Sequence, residues 1–141
     1  MSGAHEEWFA KAENDLKFAE LGLTEGFCAQ VCFLSQQVIE KSLKGVMVSL
    51  GRSYPKSHSL LELSKKLPEL DLAKHLPEIA IIDGYYVPLR YPDAAPGMKA
   101  SGEPSNEEAA RALACAREVF NAATEFVAKK GNVKGSLATR R

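Results

Sequence analysis

Gln36, Gln37, Glu40, Lys41 and Lys44 recur at helical spacing inside the stretch Phe27 to Leu50. Together they offer two ammonium groups, a carboxylate and two amides along one strip, the equipment to hold a ligand's phosphate or a partner's charged surface. The same pattern also describes an ordinary solvated helix face, on which Glu40 and Lys44, four apart in the favourable order, contribute roughly 0.3 kcal/mol. A second candidate is Arg90-Tyr91-Pro92. A guanidinium beside an aromatic ring pairs with phosphate and stacks on a base; the structural alternative is that Tyr91 pins a loop while Arg90 meets a carboxylate.

Arg52 and His58, separated by Ser-Tyr-Pro-Lys-Ser, form the third candidate. A histidine moves a proton near neutral pH and an arginine stabilises charge on a phosphate, so the pair suits metal-free phosphodiester chemistry. Pro55 between them excludes one continuous helical presentation, and a lone His at a helix entry ordinarily bonds the turn. Cys28 and Cys32 lie four apart but have no second ligand pair, so buried thiols are expected with Cys115, and no metal. No Gly-rich phosphate loop, Ser/His/Asp set or paired glycosidase carboxylates occur, and no cofactor is expected.

The elements that must position these groups are helical. In the 27 to 50 stretch, Phe27, Val31, Leu34 and Val38 make one apolar row, and Ile39, Leu43, Val46 and Leu50 a second beside it. The combined stripe is wider than a surface helix needs, which predicts more than one neighbour. Before it, residues 4 to 24 carry Trp8, Ala12, Leu16, Ala19 and Leu23 on one face, and Gly22 and Gly26 mark a turn into the central helix. After it, Gly51 and Pro55 break the chain, and Ser59 with Glu62 forms a capping box that opens a short helix ended by Pro68.

Residues 72 to 86 supply a further helix with Pro77 in its first turn, and residues 87 to 104, with four prolines and two glycines, read as a long loop. Ser105 and Glu108 form a second capping box, from which a row of Ala109, Leu113, Ala116, Phe120, Ala123 and Val127 runs to Lys130. Gly131 is expected to end that helix, leaving 131 to 141 as a flexible polar tail after a single domain of residues 1 to 130. The predicted fold is all-α: an up-and-down antiparallel bundle of four main helices with an additional short helix.

Length and composition agree. The chain has 141 residues, enough for one substantial core, and 45% hydrophobic with 26% charged residues is ordinary for a globular protein. Lys+Arg and Asp+Glu both number 18, so no net field recruits nucleic acid or anionic lipid. No membrane span or signal sequence is apparent, and three cysteines argue against a disulfide framework, so a cytoplasmic location is expected.

Three segments carry a family resemblance. Gln36-Gln37-Val38-Ile39-Glu40-Lys41-Ser42-Leu43-Lys44, then Lys56-Ser57-His58-Ser59-Leu60-Leu61-Glu62-Leu63, then Arg90-Tyr91-Pro92 resemble, in order, the motifs of the HEPN family, small helical domains named for proposed nucleotide binding. The resemblance covers roughly residues 7 to 128 and implies the bundle fold. It also implies Lys41, Lys44, His58, Arg90 and Tyr91 as a ligand-binding set, homodimerisation, and a nucleotidyltransferase partner in a toxin-antitoxin-like pair. Active members are metal-independent ribonucleases whose Arg and His lie four to six residues apart near the start of the last major helix. Here Arg111 and Arg117 are followed by no His, leaving Arg52 and His58 as the alternative catalytic pair. The expectation is therefore a non-catalytic module that binds a nucleotide, RNA or a partner protein; the alternatives are an endoribonuclease and a homodimerising structural protein.

Overall fold

The computed structural model describes residues 3–56, 59–90 and 103–139. It contains five α-helices and no strand among those residues: α1 (Ala4–Thr24), α2 (Cys28–Ser49), α3 (Leu60–Lys65), α4 (Leu76–Arg90) and α5 (Asn106–Thr139). Two 3-10 turns, Pro68–Leu70 and Ala73–His75, link α3 to α4. The all-α expectation holds, with four long helices and one short one.

α2 is the hub, packing against α1, α3, α4 and α5. Its two apolar rows supply Val31, Val38, Ile39, Leu43 and Val46, all fully buried, because neighbours sit on both sides of the wide stripe. α1 meets it through Ala12, Leu16 and Ala19, and α5 through small residues including Ala109, Ala112, Ala116 and Ala123, which let backbones approach closely. At Gly45 on α2 a Cβ would stand 2.6 Å from the Phe9 ring of α1, so any larger residue there would have to displace that ring.

Both ends of the α1–α2 pair use the same device. Gly26 and Gly51 take left-handed φ values of 82° and 72°. After α1, the Phe27 amide donates to the Gly22 carbonyl at 2.9 Å; after α2, the Arg52 amide donates to the Met47 carbonyl at 2.9 Å. These are the bonds that satisfy a helix's last carbonyls. Lys130 on α5 adds a third stitch, its Nζ donating to the Ser49 carbonyl at 3.0 Å.

Three expected boundaries move. The fourth helix begins at Leu76 rather than 72, because Asp71, with φ 50°, turns the chain left-handed and a 3-10 turn follows. It then runs past Val87 to Arg90 where a loop was expected; Pro88 falls in its last turn, where it forfeits a single hydrogen bond. α5 passes through Gly131 to Thr139 instead of stopping at Lys130. Gly131 is absent from the left-handed glycines and has open space around it, so nothing there turns the chain. No helix among the described residues is long and apolar enough to cross a membrane.

Candidate functional site

The polar strip on α2 is neither solvated nor open. Gln36 is fully buried, Glu40 is 6% exposed and Lys44 7%. Gln37 Nε2 donates to Gln36 Oε1 at 2.6 Å, Gln36 Nε2 to Glu40 Oε1 at 3.1 Å, and Lys44 Nζ to Glu40 Oε2 at 2.8 Å. Burial demands this chain, since a polar group taken out of water without a partner costs on the order of 1–3 kcal/mol and an unpaired charge more.

The far end of the chain is aromatic. Lys44 Nζ lies 5.7 Å from the Trp8 ring centroid and 5.0 Å from that of Tyr54, and the two rings meet edge to face at 5.6 Å. α1 supplies Trp8, the segment after α2 supplies Tyr54, and the ammonium between them is held by both ring faces as well as by Glu40. Lys41, also expected to be available, instead reaches Asp15 on α1 at 2.5 Å. Both lysines of the expected phosphate set are thus already paired with carboxylates inside the fold.

Arg52 is engaged too. Its two terminal nitrogens donate to the two carboxylate oxygens of Glu69, and Nη1 also donates to the Lys66 carbonyl at 3.3 Å. The Glu69 bond raises the guanidinium's affinity for its proton, and the same bond holds the Glu69 carboxyl below the usual range. This fork ties the chain after α2 to the first 3-10 turn. His58 and Tyr91 lie outside the described residues; Arg90 is the last residue of α4, and its side chain is likewise outside the description.

Asp83 is a structural residue that the sequence did not announce. From α4 it accepts bonds from Ser59 Oγ at 3.1 Å and from the amides of Leu60 and Leu61 at 2.8 and 3.2 Å, capping α3 across the fold. The capping box at Ser59 contributes its own bond, Glu62 N to Ser59 Oγ at 3.2 Å, and that at Ser105 closes in both directions.

The cysteines behave as core residues. Cys32 is fully buried and Cys115 4% exposed, while Cys28 Sγ donates to Asn106 Oδ1 at 3.0 Å, joining the starts of α2 and α5. No group of three metal-ligating side chains occurs among the described residues. Burial pushes the Cys115 thiol from 9.0 up to about 12 and the Tyr85 hydroxyl from 10.0 up to about 12. Both groups therefore keep their protons in the fold after the unfolded chain has released them, and their contribution to stability, full below pH 9, falls as pH rises toward about 12. The midpoint of urea unfolding is expected to drop steadily between pH 9 and pH 11 in a scan that includes a Cys115→Ala, Tyr85→Phe variant, whose profile is expected to be flatter. Equal slopes for the two proteins would remove these groups as the cause.

One face of the molecule is unexpectedly apolar. On the outer side of α1, Phe18 is 63% and Leu21 62% exposed, and Phe27, at the turn into α2, is 57% exposed. Lys11, Asn14 and Glu25 are exposed on the same side of α1.

Comparison with known proteins agrees with this architecture. The HEPN domain family model matches residues 5–127. The crystal structure of TT1696 from Thermus thermophilus is similar at a TM-score of 0.76 and 32% identity, over 88% of this chain and 98% of that one. ST0689, described as an archaeal HEPN homologue, is similar at a TM-score of 0.72 and 29% identity, over 90% of this chain and 99% of that one. No curated protein matches.

Proposed function

The chain belongs to the HEPN domain family, and from that premise we propose that it is a non-catalytic, protein-binding module that works as a two-fold dimer docked through α1. The observation that carries this reading is a contrast: Lys41 and Lys44 are consumed by internal carboxylates, while Phe18 and Leu21 stand in solvent on a long helix. Large exposed apolar side chains clustered on one face mark interaction surfaces.

The face is also self-complementary. Lys11 and Glu25 each lie seven positions from Phe18, two turns to either side on the same stripe. When two copies of α1 cross antiparallel about Phe18, Lys11 of one copy opposes Glu25 of the other, twice, around an apolar centre. A two-fold contact requires this kind of pairing. The ribonuclease alternative loses support because Arg52, its only arginine, is already forked onto Glu69.

Light scattering on the full chain tests the proposal. The wild type is expected to be dimeric at micromolar concentration, and Leu21→Lys to weaken the dimer by about 100-fold or more. Lys11→Glu is expected to weaken it, and the double exchange Lys11→Glu, Glu25→Lys to restore it. A monomeric wild type would overturn the dimer and leave the face to a different protein, such as a nucleotidyltransferase. Calorimetry with ATP and a short RNA in the same buffers tests the nucleotide reading. Saturable binding lost in Arg90→Ala would replace the protein-binding reading, and metal-free RNA cleavage lost in His58→Ala would show an enzyme.

A further inference from the structure

A cleft of about 550 Å³ lies between the turns that precede α4 and the outer face of α5, and it shares no residue with the polar strip of α2. Its floor is apolar, formed by Leu70 and Leu72 from the core with Ala122. On α5, Glu118, Asn121 and Glu125 recur at spacings of three and four, so they rise from one stripe. Asp71, Lys74 and His75 face them from the turns.

The charged groups that line this cleft make no short ion pair with one another. Here, among the described residues, no ion pair joins Lys74 to Asp71, Glu118 or Glu125. His75 Nε2 stands 3.9 Å from Glu118 Oε1, too far for a hydrogen bond. Unpaired groups of both signs around an apolar floor make a complementary site for a ligand that carries both signs itself.

We infer that this cleft binds a small basic amino acid, one carboxylate flanked by two cationic nitrogens on an aliphatic chain. The three carboxylates outnumber Lys74 and His75 together, which leaves the lining net negative, so the ligand is net positive. Lys74 repels a cation and attracts an anion, so it favours a ligand carboxylate at its end of the cleft over the second charge of a simple diamine. Glu118 and Glu125 are two turns apart, about 10 Å along the axis of α5, and take the separated nitrogens at either end of the chain. The aliphatic middle lies on Leu72 and Ala122. This site is independent of the α1 face and does not rest on the dimer.

Calorimetry on the full chain with L-arginine, L-lysine, cadaverine and L-norleucine tests the assignment. Saturable binding of L-arginine or L-lysine is expected, with cadaverine and norleucine each weaker by about tenfold or more, because each lacks one of the paired groups. Glu125→Gln is expected to weaken L-lysine binding by about tenfold, and Lys74→Met to erase the preference for L-lysine over cadaverine. Both residues are exposed, so the variants are expected to unfold in urea at the wild-type midpoint. No heat and no shift in melting temperature at about 10 mM amino acid would overturn the proposal. So would binding that ignores both substitutions, or cadaverine binding as tightly as L-lysine. Binding of an arginine-containing peptide at these residues, with free amino acids silent, would reassign the cleft to a protein partner.

Discussion

Glu40→Ala is expected to lower the free energy of unfolding by about 3–5 kcal/mol, the cost of leaving an ammonium buried without its counterion. Lys44 is 7% exposed, and its side chain lies between the Trp8 and Tyr54 rings, so it cannot swing to water without opening the contact between α1 and the segment after α2. The rings supply about 1–2 kcal/mol of cation attraction, too little to replace a carboxylate at 2.8 Å. Glu40→Gln keeps an acceptor for Gln36 and loses the charge, and is expected to fall between the wild type and alanine. The joint replacement Glu40→Leu, Lys44→Met removes both charges and is expected to cost less than the sum of the single changes. Urea titration with unchanged slope checks the series, and single and double variants that simply add would show that the pair is not coupled.

Asp83→Ala is expected to cost about 2–3 kcal/mol, and to do so locally. The carboxylate accepts three bonds at the start of α3, two of them from backbone amides that a helix start leaves without partners. α3 has only six residues and cannot sustain itself as an isolated helix. Amide exchange at Leu60 to Lys65 should therefore accelerate more in Asp83→Ala than exchange in α2 or α5. Asp83→Asn, which keeps an acceptor and loses the charge, should recover part of the protection. Unchanged exchange in α3 would mean that Ser59 alone holds the helix start.

The sequence made the hub helix legible and concealed what its polar side does. Periodicity placed Val31, Ile39 and Leu43 correctly because burial of apolar residues follows spacing alone. Spacing cannot distinguish a polar strip in water from one enclosed by neighbours, and Gln36, Glu40 and Lys44 fell on the wrong side of that ambiguity. The width of the apolar stripe was the available clue, since a helix flanked on both sides leaves little open arc. Trp8 and Tyr54 come from outside α2, and their convergence on Lys44 is a tertiary fact. Asp83 is similar: its capping role depends on α4 crossing the start of α3, which no local pattern records. Glycines read well where the chain had to turn, at Gly26 and Gly51, and misled at Gly131, where a left-handed stop was available but the following residues continue the helix. Of the candidate site residues, Lys41, Lys44 and Arg52 were found as cations, but the partners of Lys41 and Arg52, Asp15 and Glu69, lie far away in sequence.

Trp8 is the only tryptophan in the chain, and its ring sits edge-on to Tyr54 beside a fixed positive charge. That arrangement makes the protein its own optical reporter. Tyrosine excitation at Tyr54 passes to the indole while the rings are in contact, and the adjacent ammonium shifts the indole's emission electrostatically. Separation of the segment 51–56 from α1 would take Tyr54 off the indole and let water reach it, moving the tryptophan band even with the rest of the bundle intact. Light of one wavelength thus distinguishes loss of this junction from loss of the whole fold.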